Sequence, residues 1–276
     1  AVSKRFKVED LEEFYDGLRK ACDKWNVDIV GGDTTSSFTG LAISITCIGE
    51  ADAKDIVYRN GARETDLICV SGDLGAAYMG LQLLEREKSV YYQQIDTINK
   101  KIQKANAEGN DALVKHLQEE GMKITDFQPD FAGREYLIQR QLKPEARGDI
   151  IALLKENNIH PTAMMDISDG LSSELLHICH QSHCGCRIYE KKIPIDYQTA
   201  VTAEELNMNV TTCAMNGGED YELLFTCPIG DHEKLNALEH KGIRQIGYIT
   251  KKELGTRLLS RDNKEFDITA QGWKAF

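Results

Sequence analysis

A strand-to-helix corner rich in carboxylates, Asp166–Gly170, constrains the fold of this chain more than any other segment. It contains two aspartates and a serine, and it lies between the apolar run Ala163–Met165 and a helical pattern. Such a turn directs both carboxylates toward a helix N-terminus, which offers free N–H groups and a positive dipole end to a phosphate. The competing interpretation is helix capping by Ser168 or Asp169. Capping explains one residue but not Asp166.

Two more acidic segments follow glycine pairs at strand edges. Gly31-Gly32-Asp33 follows the strand-like Val27–Val30, and Gly217-Gly218-Glu219-Asp220 precedes the strand-like Tyr221–Cys227. A single aspartate of this kind is more often a turn residue that bonds its own backbone. Three acidic corners in one chain favour a Mg²⁺-dependent nucleotide enzyme, since Mg²⁺ prefers oxygen ligands. The loop Gly72–Gly75 also resembles a phosphate cradle, but an ordinary tight turn is favoured there.

The net charge, the length of the apolar runs and the cysteines of the chain exclude several classes of protein. The 276 residues carry a formal net charge of −11, which argues against nucleic acid as a partner. No apolar run is long enough to span a bilayer, and no signal peptide is recognisable, so we expect a cytoplasmic protein without membrane contact. The eight cysteines are scattered through apolar stretches and predict reduced thiols.

Strand-like and helical segments alternate, which predicts an α/β or α+β protein. The boundary between two domains is expected near Asn158–Pro161, giving domains 1–157 and 158–276. The polar segment Glu85–Gly121 predicts a helical hairpin that turns at 108–111. The other predicted helices are Glu9–Trp25 with a buried face, the segment after Gly75, Gly133–Gln141, Gly148–Asn157, Leu171–His183 and Glu233–His240. The other predicted strands are Leu41–Ile48, Asp66–Ser71, Cys186–Tyr189, Ile243–Ile249 and Arg257–Ser260.

A loop before the third predicted strand carries two arginines, Arg59 and Arg63, on either side of Asn60-Gly61-Ala62. A guanidinium in this position can grip a phosphate through two hydrogen bonds. For either residue alone, a solvated surface arginine is the more frequent case.

Five motifs in order resemble the thiamine-monophosphate kinase family of the aminoimidazole ribonucleotide synthetase superfamily. The motifs are 27–35, 59–62, 165–171, 217–226 and the terminal 272–276. The resemblance implies the two-domain fold of that superfamily, with an N-terminal domain at a homodimer interface and a C-terminal α/β domain. It also implies ATP-dependent phosphorylation of thiamine monophosphate to thiamine diphosphate.

The resemblance also assigns residues by position. Asp33, Asp166 and Asp169 would be Mg²⁺ ligands. Arg59 and Ser168 would contact ATP, while Glu219 and Trp273 would meet the thiamine substrate. No acid or base residue is expected, because the accepting phosphate oxygen is already anionic and catalysis rests on positioning and charge neutralisation.

The chain departs from the family at two places. The family's first segment, which carries a Gly-Asp-Asp metal corner, is absent, so we expect the chain alone to lack part of its metal and substrate site. The hairpin is longer than the family's usual connection. Three alternatives stay open: a selenophosphate synthetase-like enzyme, a purine-pathway synthetase, or a non-catalytic nucleotide-binding partner protein.

Overall fold

The computed structural model describes residues 1–125, 129 and 131–270. It divides the chain into two compact units, Ala1–Ile56 and a larger one that begins at Val57. Within the described residues, no helix is both long enough and apolar enough to cross a membrane.

The first unit contains the helix α1 (Val8–Trp25), which confirms the helix predicted from Glu9. The helix starts after Lys7, whose backbone N–H donates to the Asp10 carboxylate, and it ends at Asn26 in the left-handed conformation. The predicted buried face is wrong, because no residue of α1 is buried.

The extended part of this unit exposes apolar side chains. The strands predicted at Val27–Val30 and Leu41–Ile48 do not form. A strand needs a neighbour that pairs with its backbone, and the described residues of this unit provide only isolated bridges from Val2. Val30 is 91% exposed and Ile48 is 89% exposed. These segments therefore have the composition of strands without a neighbouring strand in this unit.

The second unit is built on a seven-stranded sheet in the order β2-β4-β1-β5-β3-β6-β7. Neighbouring strands are antiparallel except β3 and β6, which are parallel. The strands are β1 (Leu67–Ser71), β2 (Ala163–Ile167), β3 (Gly185–Tyr189), β4 (Glu222–Cys227), β5 (Ile243–Thr250), β6 (Thr256–Leu259) and β7 (Glu265–Asp267). Mixed helix and sheet confirm the predicted α/β (α+β) class.

The helices of this unit confirm most of the predicted positions, including the long hairpin. They are α2 (Ala76–Ala107), α3 (Asp111–Thr125), α4 (Glu135–Leu142), α5 (Gly148–Glu156), α6 (Leu171–Gln181), α7 (Tyr197–Glu205), α8 (Val210–Asn216) and α9 (His232–Ala237). The sequence analysis did not predict α7, α8 or β7. In the hairpin, Ile98 and Leu117 are buried, so its two helices share an apolar seam.

Both faces of the central strand β1 are buried. Because side chains alternate along a strand, Ile68 and Val70 pack in the cluster that contains Leu175 of α6. Leu67 and Cys69 pack in a second cluster with residues of α5 and α9.

The domain boundary expected near 157 does not coincide with the observed division at 56/57. β1 precedes the expected boundary, whereas β4 and β5 follow that boundary. In the sheet, however, β1 lies between β4 and β5 and pairs with both. Non-local strand pairing therefore joins residues that the sequence analysis placed in different domains.

Candidate functional site

The acidic corner, Asp166–Gly170, follows β2 and starts α6. Alternation along β2 turns Ala163, Met165 and Ile167 into the core and leaves Asp166 exposed. Within the described chain, the side chains of Asp166, Ser168 and Asp169 form no hydrogen bond or ion pair.

The capping interpretation of this corner is wrong. The N-cap of α6 is Gly170, with φ +109°, and no side chain caps it. The carboxylate of Asp169 and the hydroxyl of Ser168 are therefore available to a ligand.

The β4 corner, Gly217–Tyr221, lies against the acidic corner. β4 is antiparallel to β2 and pairs Glu222 with Ile167. The Glu219 N–H donates to the Ser168 carbonyl at 2.7 Å, and the Tyr221 N–H donates to the Ile167 carbonyl at 2.8 Å. The structure thus brings two of the three predicted acidic corners together.

Gly218 permits this close approach. Its φ is +70°, and a Cβ atom there would lie 2.5 Å from the Ser168 carbonyl oxygen. Glu219 and Tyr221 also have positive φ, at 62° and 50°. Such angles are unfavourable for residues with side chains and concentrate at functional sites.

Negative charge accumulates where the two corners meet. The Tyr221 hydroxyl donates to the Glu219 carboxylate at 3.1 Å. Burial, then this bond and the charge of Glu219, raise the pKa of Tyr221, and Asp166 and Asp169 add to the effect.

Glu174 of α6 is 1% exposed. Burial raises its pKa to about 7, and the charges of Asp169 and Asp166 add to the shift.

Asp220 belongs to a different environment from its neighbour Glu219. Its side chain is fully buried and accepts hydrogen bonds from the Gly75 N–H at 2.8 Å and the Ala77 N–H at 3.3 Å. The guanidinium of Arg140 lies 3.7 Å from it. Asp220 therefore stabilises the start of α2, and the acidic pair of the sequence divides into one exposed and one structural carboxylate.

The β1 corner, Gly72–Gly75, is an ordinary turn, as the sequence analysis favoured. It lies at the same end of the strands as the other two corners. β1 and β2 are both antiparallel to β4, so the last residues of β1 and β2 lie beside the first residues of β4. The N–H groups that a phosphate would need are bonded to Asp220. Beside this corner, Glu222 accepts from Ser71 and forms ion pairs with Arg140 and Arg147.

Arg59 lies at the other end of β2. The Tyr58 carbonyl accepts from the Met164 N–H at 3.0 Å, and Ser182 Oγ accepts from the N–H groups of Gly61 and Ala62 at 3.2 Å each. The Arg59 side chain is exposed. The structure anchors its loop but separates it from the acidic corner by most of a strand.

The remaining predicted site residues lie elsewhere. Asp33 is exposed in the first unit, in the extended segment that follows α1. Trp273 lies outside the described residues. In the described ranges, no three carboxylate, imidazole or thiol side chains come close enough to hold a metal ion by themselves.

Sequence reasoning missed Glu174 and the hydroxyl of Tyr221. Glu174 had a detectable signal, because Leu171, Glu174, Leu175 and Ile178 recur at the spacing of a buried helix face. A carboxylate at one of these positions is unusual. The contact of Tyr221 with Glu219 depends on two positive φ angles, and no sequence pattern indicated them.

Comparisons with known proteins identify the family and similar chains. The model of the family "AIR synthase related protein" matches with its N-terminal domain at residues 1–51 and its C-terminal domain at residues 107–258. Thiamine-monophosphate kinase of Bacillus subtilis is 26% identical over 100% of the chain and 73% of its own length. The enzyme of Aquifex aeolicus is 31% identical over 80% of the chain, which spans only 58% of that relative.

A solved structure has the same fold. The complex described as AaThiL with AMPPCP and TMP superimposes with a TM-score of 0.68 at 26% identity. The match covers 100% of this chain and 71% of that one.

Proposed function

The chain belongs to the AIR synthase related family, and from that premise we propose that it serves phosphoryl transfer from ATP to thiamine monophosphate, giving thiamine diphosphate. The named relatives are thiamine-monophosphate kinases, and one similar structure holds the ATP analogue AMPPCP together with TMP. The single observation that carries the proposal is the acidic corner. The side chains of its two exposed aspartates and its serine have no hydrogen-bond or ion-pair partner in the described chain, and they adjoin Glu219.

We propose that Asp166 and Asp169 hold Mg²⁺, and that Asp33 of the first unit is also a Mg²⁺ ligand. Free carboxylates of this kind fit the ion, because Mg²⁺ in phosphoryl-transfer enzymes is bound by one or two carboxylates together with substrate phosphates and water. A cluster of three protein ligands is therefore not required. When bound, the ion would neutralise phosphate charge and thereby lower the repulsion between donor and acceptor.

The chain's own residues would position the two substrates. The Ser168 hydroxyl would donate to a phosphate oxygen of ATP, and the exposed guanidinium of Arg59 would bind ATP as well. Glu219 would contact the thiamine substrate, and the Trp273 indole would stack on its cationic ring. Since the accepting phosphate oxygen is anionic, no side chain need remove a proton from it.

A direct assay tests the function. The full-length protein is incubated with ATP, Mg²⁺ and thiamine monophosphate, and thiamine diphosphate is followed by chromatography. Product should form, and Asp166→Asn should lower kcat at least about a hundredfold. Asp111→Asn, an exposed residue of the hairpin, is the matched control and should be fully active. ATP binding without product would reject the kinase in favour of a nucleotide-binding protein.

We also propose that the protein is a homodimer in which the first unit forms the interface. The exposed apolar segments 27–30 and 41–48 support this, because a second copy could cover them and pair with their backbone. Light scattering after gel filtration should give twice the mass of one chain. Ile43→Lys and Ile45→Lys together should give monomers, whereas an unchanged mass would place the interface elsewhere.

A further inference from the structure

We infer that Glu174 is a positioning residue that holds the Ser168–Asp169 peptide group in the orientation used by the reaction. The inference rests on the proposed function above, since that function gives Ser168 and Asp169 their roles. It goes further by giving a role to a buried residue of α6 that does not itself face the substrates.

The Ser168–Asp169 peptide group is held at both ends. Its carbonyl, which belongs to Ser168, accepts from the Glu219 N–H at 2.7 Å. Its N–H, which belongs to Asp169, donates to Oε1 of Glu174 at 3.2 Å. The side chains that flank this peptide are the free hydroxyl and the free carboxylate of the acidic corner. Any rotation of the peptide therefore moves both of them.

No local cap can take over this task. The N-cap of α6 is a glycine, so it supplies no side-chain oxygen. In an ordinary capping box a glutamate of the first helical turn bonds to the N–H of the N-cap residue. Here the glutamate reaches one residue further back, to Asp169, and thus stabilises the corner as well as the helix.

Glu174 is costly to the fold, which argues for a function. It is 1% exposed, and its Oε2 has no hydrogen-bond partner in the described part of the chain. Burying a carboxylate without a counter-charge is unfavourable, and the same helix face otherwise carries Leu171, Leu175 and Ile178. A leucine would satisfy the core at this position. The glutamate satisfies the amide of Asp169 instead.

Three variants of the full-length protein test the inference. Glu174→Met removes the acceptor and keeps much of the volume. Glu174→Gln keeps a carbonyl acceptor at the same place. Ser172→Ala changes another buried residue of the same helix that takes no part in holding the peptide, and it serves as the matched control.

Hydrogen–deuterium exchange over 166–173 provides a readout that does not depend on activity. Exchange at the Asp169 amide should accelerate about tenfold in Glu174→Met and stay near the wild-type rate in Glu174→Gln and Ser172→Ala. Unchanged exchange in Glu174→Met would overturn the inference even if the protein were not a kinase.

Kinetics provide the second readout. In Glu174→Met, kcat should fall about tenfold to a hundredfold, while Glu174→Gln should restore most of it. Glu174→Gln should melt no lower than Ser172→Ala, because it removes a carboxylate whose burial is unfavourable. Equal losses of kcat in both Glu174 variants would overturn the inference, because charge rather than the acceptor would then matter. If the wild type makes no thiamine diphosphate, the proposed function fails, and the exchange measurement alone decides the role of Glu174.

Discussion

Two strand-to-helix corners of the second unit have similar sequences and different environments. The acidic corner and the β1 corner each join a buried strand to a helix through glycine and aspartate. At the β1 corner, the N–H groups of Gly75 and Ala77 donate to Asp220 of the β4 corner, and Asp73 accepts from the Tyr136 hydroxyl. In the acidic corner the aspartates have no such partners in the described chain. The local pattern is therefore not the functional signal; the absence of a protein partner is.

The largest expected effect is the difference in kcat between two variants that replace aspartate by asparagine, one in each corner. Asp169→Asn should lower kcat about a thousandfold, because it removes a carboxylate that we propose holds Mg²⁺, the ion that would neutralise the phosphate charge. Asp73→Asn should retain activity within about threefold, since an amide oxygen can still accept from Tyr136. Steady-state assays at saturating substrates measure both variants.

The ratio between the two variants is the decisive quantity. If both lose activity equally, the two corners share the chemistry and the contrast between them is wrong. Circular dichroism of each variant establishes that the comparison concerns folded protein.

The second effect concerns stability. Asp220→Ala should lower the free energy of unfolding by about 3 kcal/mol, because it leaves two N–H groups of α2 and the nearby charge of Arg140 without their acceptor. Urea unfolding measures the change. Glu219→Ala, the exposed neighbour, should cost less than about 1 kcal/mol. Equal costs would mean that Asp220 does not stabilise α2.

The contrast between Glu219 and Asp220 shows where sequence reasoning succeeds and where it ends. Most strands and helices of the second unit followed from periodicity, because hydrophobic spacing is a local property; α7, α8 and β7 were not predicted. Which of two adjacent acids is buried depends on β4 lying beside β1, a pairing between residues 154 to 160 positions apart in the chain. The strand predictions in the first unit were wrong for a related reason. Val27–Val30 has the composition of a strand, but a strand also needs a neighbour, which composition does not supply.

Glu174 marks a third limit of the same kind. Its position on the apolar face of α6 was visible in the sequence, whereas its bond to the Asp169 amide depends on how the chain turns at Gly170. Sequence could identify the anomaly but not its partner.

The burial of Glu174 should also make the stability of the protein depend on pH. The pKa of Glu174 is about 7 in the folded protein against an ordinary 4.5, so the folded state binds more protons than the unfolded state between these values. The free energy of unfolding should therefore fall as the pH rises through this window. Relative to Glu174→Gln, the wild type should lose about 3 kcal/mol of stability between pH 4.5 and 7.

Urea unfolding without divalent metal ions, repeated at intervals between pH 4.5 and 7, measures this difference. Two parallel stability curves would show that Glu174 is not held as a buried carboxyl group. Subtracting the Glu174→Gln curve removes the contribution of other buried acids such as Asp220, whose pKa is also raised to about 7 by burial.

The smallest expected effect concerns two glycines with nearly the same backbone angle. Gly218 has φ +70° and Gly109, in the turn of the hairpin, has φ +68°. Alanine at either position should cost about 1 kcal/mol for the left-handed conformation. At Gly109 nothing lies within 4 Å of the added Cβ, whereas at Gly218 it meets the Ser168 carbonyl at 2.5 Å. Gly218→Ala should therefore cost about 1–2 kcal/mol more than Gly109→Ala.

Activity sharpens this last comparison. Relief of the clash at Gly218 requires the Ser168–Asp169 peptide to move, because the obstructing atom is backbone rather than a flexible side chain. Gly218→Ala should thus lower kcat, while Gly109→Ala should leave it unchanged. The contrary result is a Gly218→Ala variant that is less stable yet fully active. That result would mean that the Ser168–Asp169 peptide can shift without loss of activity, and that the β4 corner is not needed to position the side chains of the acidic corner.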